Sequence, residues 1–286
     1  MPFLTQPPDP RPRKPALSVP AGACDCHFHL FGPTQRYAFD PASPYISADA
    51  LPETYFELQQ VLELSRGVLI NGGAYGRDYT HLVDTLRSFP DRLRGIVLPP
   101  EDMSTDEIRR LDTLGVCGMR FISERRHGKL PRLSPDLARR AFDAAQWQVH
   151  FYPAGDLEAM APQLLALPNT IVLDHFGGID ADIANPPGLK ALLSLLDTGR
   201  VWVKLSGPMR CTREDYPYAK VTPLARRLVE HAPQRLIWGS DWPHVNMNDR
   251  AMPNDGDLLE LLAGWAPHPA VRASILAGNP ATLFGF

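Results

Sequence analysis

The 286-residue chain can bury one large core or divide into two ordinary domains. Its 32 acidic and 29 basic residues leave a formal charge of −3, which argues against a nucleic-acid footprint or a basic membrane-binding face. No apolar run approaches the roughly 20 residues that a spanning helix needs, and residues 1–20 lack the apolar core of a signal peptide, so the expected location is cytoplasmic.

Residues 1–20 are rich in proline, which removes backbone donors and favours extended chain. They read as an N-terminal arm, a surface strap rather than a domain. From residue 21 to 286, short apolar runs alternate with stretches of helical period. The expected strands are 23–30, 67–71, 93–100, 115–122, 147–153, 170–177, 201–208 and 235–243. Between them, Pro52–Leu64, Tyr79–Ser88, Thr105–Leu114, Ser134–Ala145, Leu157–Leu167, Gly188–Asp197 and Thr222–His231 carry apolar residues three and four apart, as helices do. Eight β-then-α units without a linker predict a single α/β domain, a closed (β/α)8 or TIM barrel. The alternative, a doubly wound open sheet, would normally open on a glycine-rich turn, and HLFGPTQ is not one. Cys24, Cys26, Cys117 and Cys211 are scattered through apolar stretches and read as reduced, packed thiols.

Barrel enzymes work at the carboxyl ends of their strands. Here those ends carry His27 and His29, then Arg120, His150 with Tyr152, Asp174 with His175, Lys204 with Ser206 and Arg210, and finally Ser240 with Asp241. Burying such groups without partners costs several kcal/mol, so their accumulation at one end indicates a site. In ACDCHFHL, a regular strand would put Asp25, His27 and His29 on one face. His150 alone reads as a hydrogen-bonded core residue, and His127, His231 and His268 as solvated. Arg120 emerges directly from the apolar GVCGM, whereas Arg125, Arg126 and Lys129 resemble an ordinary charged loop. Trp242 is the tryptophan expected nearest the pocket.

Asp25-Cys26-His27-Phe28-His29, Leu173-Asp174-His175-Phe176-Gly177 and Trp238-Gly239-Ser240-Asp241-Trp242-Pro243-His244 together resemble the amidohydrolase superfamily, and within it the 2-pyrone-4,6-dicarboxylate lactonase group. The resemblance runs from about Ala23 to Phe286 and leaves the proline arm outside. It implies a hydrolase of aromatic-compound catabolism that opens a lactone of a small carboxylate-bearing substrate without a cofactor. Asp241 would activate water, and His27, His29 and His175 would polarise the carbonyl. Arg120, Arg126 and Arg210 match positions that hold substrate carboxylates, and Tyr45 and Tyr152 match pocket-lining positions. Two matches fail: Gly178 stands where the group has arginine, and Gly73 where a hydroxyl is expected. The strand reading GVCGMRF has no metal-bridging lysine, which disfavours a binuclear centre. Three alternatives stay open. One is a zinc-dependent hydrolase or decarboxylase with a single zinc on His27, His29 and Asp241; the second is a sugar-acid lactone isomerase; the third is a carboxylate-binding barrel without catalysis. The partner is a small molecule, with homo-oligomerisation left open.

Overall fold

A computed structural model describes residues 2–123, 132–247 and 249–286. Two short strands, β1 (Phe3–Leu4) and β3 (Tyr45–Ile46), pair in parallel outside the main sheet. Among the described residues, eight parallel strands build that sheet: β2 (Cys24–Phe28), β4 (Arg66–Ile70), β5 (Leu93–Val97), β6 (Val116–Ile122), β7 (Gln148–Tyr152), β8 (Ile171–Leu173), β9 (Val201–Ser206) and β10 (Leu236–Gly239). They lie in chain order, each paired with the next, as right-handed β/α crossovers require. The (β/α)8 barrel read from the sequence is therefore the fold.

The seam between β2 and β10 closes differently from the other joins. The Asp241 amide donates to the His27 carbonyl at 2.8 Å, and the His29 amide to the Trp242 carbonyl at 2.8 Å. Below them the Asp25 carboxylate accepts from the Ser240 amide (2.9 Å), the Ser240 hydroxyl (2.6 Å), the His27 amide (3.1 Å) and the Tyr55 hydroxyl (3.1 Å). A side chain thus completes what backbone pairing does elsewhere in the ring.

The seam also corrects the expectation that Asp25, His27 and His29 share a face. The β2–β4 register shifts between Asp25 and Phe28. Cys24 and Cys26 pack inside the barrel with Val68, Ile70, Ile96 and Ile237, while Asp25 bonds outward to Tyr55. The irregularity then advances the alternation by one residue. His27 and His29 turn inward, and Phe28 stacks on Tyr55 at 3.6 Å.

Helices α1 (Pro52–Val61), α2 (Thr80–Ser88), α3 (Thr105–Asp112), α4 (Pro135–Ala145), α5 (Leu157–Leu165), α6 (Leu189–Asp197) and α7 (Val221–His231) fall where apolar periodicity placed them, with ends shifted by a few residues. The N-termini of α3 and α4 are fixed by Ser104 and Ser134, whose hydroxyls accept from the Glu107 and Leu137 amides. Their apolar faces cover the outer side of the sheet, where each buried leucine contributes about 2 kcal/mol. After β10 come α8 (Asp255–Trp265), α9 (Pro269–Ala273) and α10 (Asn279–Phe284), helices that the sequence reading did not name. Phe284 of α10 packs with Cys24, Cys26 and Val172 in the inner cluster of the barrel.

The N-terminal arm lies along this C-terminal region. The Arg13 amide donates to Asn254 Oδ1, and the Ala16 and Leu17 amides to Glu260 Oε2. Gly256 makes this approach possible, because a Cβ there would lie 1.8 Å from the Arg13 carbonyl oxygen. At its far end the arm pairs with β3 and so backs Tyr45. No helix among the described residues is long and apolar enough to cross a membrane.

Candidate active site

A cavity of about 330 Å3 opens at the carboxyl ends of the strands, within the usual size range of small-ligand sites. His29, Tyr45, Arg120, Tyr152, His175, Arg210 and Asp241 line it. Seven residues expected from the sequence thus face one cavity. His27 lies beneath them, fully buried, with its ring 5.1 Å from His29 and 4.8 Å from His175. Arg126 falls outside the described residues, as do Arg125, His127 and Lys129. Trp242 is behind the wall, 5.5 Å from the Tyr55 ring, because the chain leaves the barrel axis immediately after Asp241. Gly73 lines the main cavity and Gly178 an adjoining one. At φ +65°, Gly178 would put a Cβ 2.9 Å from the Ala154 amide, so this backbone path excludes a larger residue unless it moves.

At the floor, three imidazole nitrogens surround one oxygen. Nε2 of His27, His29 and His175 lie 3.7, 3.8 and 3.8 Å from Asp241 Oδ1. These separations exceed hydrogen-bond length but leave a niche that one small atom or group could bridge. His27 Nε2 is buried with no hydrogen-bond partner. The backbone helps to create the niche, since Asp241 (φ +66°) and His175 (φ +49°) both occupy the left-handed region. Such conformations cost about 1 kcal/mol or more and persist where neighbouring contacts hold them.

Each guanidinium uses Nε on a buried carboxylate. Arg210 Nε donates to Asp241 Oδ2 at 2.9 Å, and Arg120 Nε to Asp174 Oδ2 at 2.8 Å. Both arginines line the cavity as well, which suits the rest of the fork to a ligand anion. Burial alone would raise the Asp241 carboxyl, but Arg210 and the neighbouring imidazoles hold it well below the usual carboxylate range. Burial pushes His175 down to about 4, against the pull of Asp241 and Asp174. It pushes the Tyr45 hydroxyl up to about 12, so that group remains a phenol.

Hydrogen bonds behind two of the rings define which atoms face the niche. His29 Nδ1 lies 2.9 Å from the Ile70 carbonyl, which only accepts, so Nδ1 carries a proton and Nε2 is the ring atom turned to the niche. His175 Nδ1 lies 3.0 Å from the buried Ser206 hydroxyl and is its hydrogen-bond partner. If Nδ1 donated, the serine proton would be stranded; Ser206 therefore donates, and His175 presents Nε2–H.

His27, His29 and Asp241 offer ligand atoms within 4.8 Å of one another, the grouping a single metal ion would need. Their charge environment differs from that of a metal centre. Lys204, Arg120 and Arg210 already pair with only two carboxylates, Asp174 and Asp241. The importance of Lys204, Ser206 and Asp174 behind the visible ligands was missed in the sequence. The signal was present: a lysine inside the apolar VWVKLS can be buried only beside an anion. His150, expected as a hydrogen-bonded core residue, is one, placed between Gln148 and Lys204. His231 pairs with Asp197 at the surface.

A parallel barrel with imidazoles on its first and sixth strands and an aspartate after its last defines a hydrolase-type metal-site or acid–base scaffold. The chain belongs to the amidohydrolase family, whose Amidohydrolase model matches residues 24–286. It is 38% identical to a 4-sulfomuconolactone hydrolase from Rhizobium radiobacter, over 96% of this chain and 95% of that protein. It is 31% identical to a D-galactarolactone isomerase from Agrobacterium fabrum, over 94% and 93%. A solved structure of a probable 2-pyrone-4,6-dicarboxylic acid hydrolase from Acinetobacter baumannii, with citric acid bound, matches at TM-score 0.81 and 26% identity, over 93% of this chain and 100% of that one.

Proposed function

We propose that the protein hydrolyses the ring ester of a small anionic lactone. The observation that carries this reading is the niche around Asp241 Oδ1, floored by three imidazoles and flanked by two arginines. Relatives named for sulfomuconolactone and pyrone dicarboxylate hydrolysis support the substrate class.

In this mechanism Arg120 and Arg210 fix the anionic group of the substrate, with Tyr45 and Tyr152 lining its ring and Arg126 assigned to the same task by resemblance. Asp241 takes a proton from water, whose oxygen forms a bond to the lactone carbonyl carbon. His29, whose Nε2 lies 3.8 Å from Asp241 Oδ1, orients that water beside the aspartate, a different role from the polarising one expected from the sequence. His175, and His27 beside it, donate to the carbonyl oxygen as it becomes an oxyanion. Collapse of the tetrahedral intermediate breaks the carbon–oxygen bond of the ring, and Asp241 returns its proton to the leaving oxygen. One water is consumed and an open-chain acid is formed. The arginines align the substrate rather than react, a contribution of several kcal/mol to the barrier.

We further infer that this chemistry uses no resident metal. The ligand spacing would accept zinc, but a divalent ion would add to a pocket where buried cations already outnumber carboxylates. Elemental analysis of protein purified without chelators tests this: stoichiometric zinc whose removal abolishes turnover would overturn it. The lactone isomerase reading is favoured by the galactarolactone relative. Turnover in H218O separates the two, because hydrolysis leaves one labelled oxygen in the product and isomerisation leaves none. Asp241→Asn should keep the fold and lower kcat by about 1,000-fold. Near-full activity in that variant would end the assignment of Asp241 as the base.

A further inference from the structure

Beneath the niche sits a lysine that the mechanism above does not use. Lys204, on β9, is fully buried at the centre of the barrel, with its Nζ 3.0 Å from His27 Nδ1, 2.9 Å from His150 Nδ1 and 3.0 Å from Asp174 Oδ1. The Asp174 contact is off the line of a hydrogen bond, since that oxygen has no hydrogen-bond partner, and it acts as the counter-charge. The two imidazoles are the groups to which Lys204 is hydrogen bonded.

The direction of those bonds can be traced from outside the site. Gln148 Nε2 donates to the Leu283 carbonyl at 2.6 Å, which turns Gln148 Oε1, an acceptor, toward His150 Nε2 at 3.1 Å. His150 Nε2 therefore carries a proton. Burial, reinforced by Lys204, holds the His150 ring neutral, so its Nδ1 is bare and accepts from Lys204. The same ammonium has no lone pair, and it meets His27 Nδ1 in the same way. The competing contact from His27 Nδ1 to Asp174 Oδ1 is longer, at 3.4 Å, than the 3.0 Å that separates His27 Nδ1 from Lys204 Nζ.

We propose that Lys204 is a positioning residue that keeps His27 in its Nε2–H tautomer, so that the orphaned Nε2 is a hydrogen-bond donor aimed into the niche. The chain of bonds runs from the Leu283 carbonyl on the closing helix through Gln148, His150 and Lys204 to His27. It deepens the lactonase reading and rests on it for the meaning of the donor: a protonated Nε2 can polarise a carbonyl oxygen but cannot ligate a metal. The ammonium behind His27 makes its Nε2 a donor, whereas the Ile70 carbonyl behind His29 places a proton on the Nδ1 of that ring.

The test is 15N NMR of the histidine-labelled full-length protein, with His27 assigned by the loss of its signals in His27→Gln. Between pH 6 and 8, the expected spectrum shows a neutral His27 ring with a protonated Nε2 and an unprotonated Nδ1. A protonated Nδ1, or an imidazolium, would overturn the proposal without touching the roles of Asp241 and the arginines. In Lys204→Met, the His27 signal should move toward a tautomer mixture, and kcat should fall about 10- to 100-fold with KM within threefold. If Lys204→Met does not fold, the spectrum of the unmodified protein still decides the matter. Wild-type kcat in a folded Lys204→Met protein would overturn the proposal; failure of the protein to open any lactone would instead sink the functional reading and leave the tautomer result standing.

Discussion

Acidification should destabilise this protein steeply from about pH 6 downward, through its buried imidazoles. Burial holds His27 and His150 well below their ordinary value and pushes His81 and His175 down to about 4. Released into the unfolded chain, all four take up protons near 6.5, so their contribution to stability is present above that value and is lost as pH falls toward 4. Asp25 acts in the opposite sense. Burial raises it to about 6 despite its bonds to Ser240 and His27, so the folded state gains a proton there that the unfolded chain takes up only near 3.8. Between about pH 6 and 4, four imidazoles against one carboxyl leave the unfolded state richer by three protons, a slope of about 4 kcal/mol per pH unit. A domain with a typical stability of roughly 10 kcal/mol would reach its midpoint within about two to three units of neutrality. Urea unfolding monitored by circular dichroism at half-unit steps from pH 7.5 to 4.5 measures that slope. A value below about 1 kcal/mol per unit between pH 6 and 5 would refute the argument, since it would mean that these imidazoles are charged in the folded protein.

The remaining expectations concern activity and the seam. The kcat/KM profile should be level from about pH 6 to 8, because burial holds His175 neutral there; a limb near 6.5 would show an unburied imidazole at the reacting centre. Arg210→Met should raise KM, and it should cost about 3 kcal/mol in urea unfolding by leaving Asp241 unpaired. Ser240→Ala removes one donor from the buried Asp25 carboxylate and should lower stability by about 1 to 2 kcal/mol while leaving KM unchanged. In a panel of lactones with none, one or two carboxylates, the doubly carboxylated pyrone should be a poor substrate because Gly178 supplies no guanidinium; kcat/KM highest on that compound would contradict this.

The barrel was legible because each β/α unit carries its own period, and the site because charged residues at the ends of apolar runs have few other reasons to be there. His27, His29, His175 and Asp241 could be picked out on that basis. What escaped was whatever depended on partners distant in sequence. The alternation rule placed Asp25 with the histidines, and only the shifted register between β2 and β4 reveals that it faces α1. Lys204 could be seen at a strand end, but its role rests on Gln148 and His150 from one other strand and on Asp174 from the turn after another. The three C-terminal helices gave no such warning, since α10 reaches the barrel interior through a single aromatic residue, Phe284.

The place where the ring is joined is also the place where it works. β2 and β10 are held by one aspartate and two amide bonds at the level of His27, His29 and Asp241, whereas every other neighbouring pair in the main sheet is joined by ladder pairing along the strands. Gentle heating should therefore loosen this clasp first, so that catalytic power fades while the helical signal is still intact, and an anion seated on Arg120 and Arg210 should delay both.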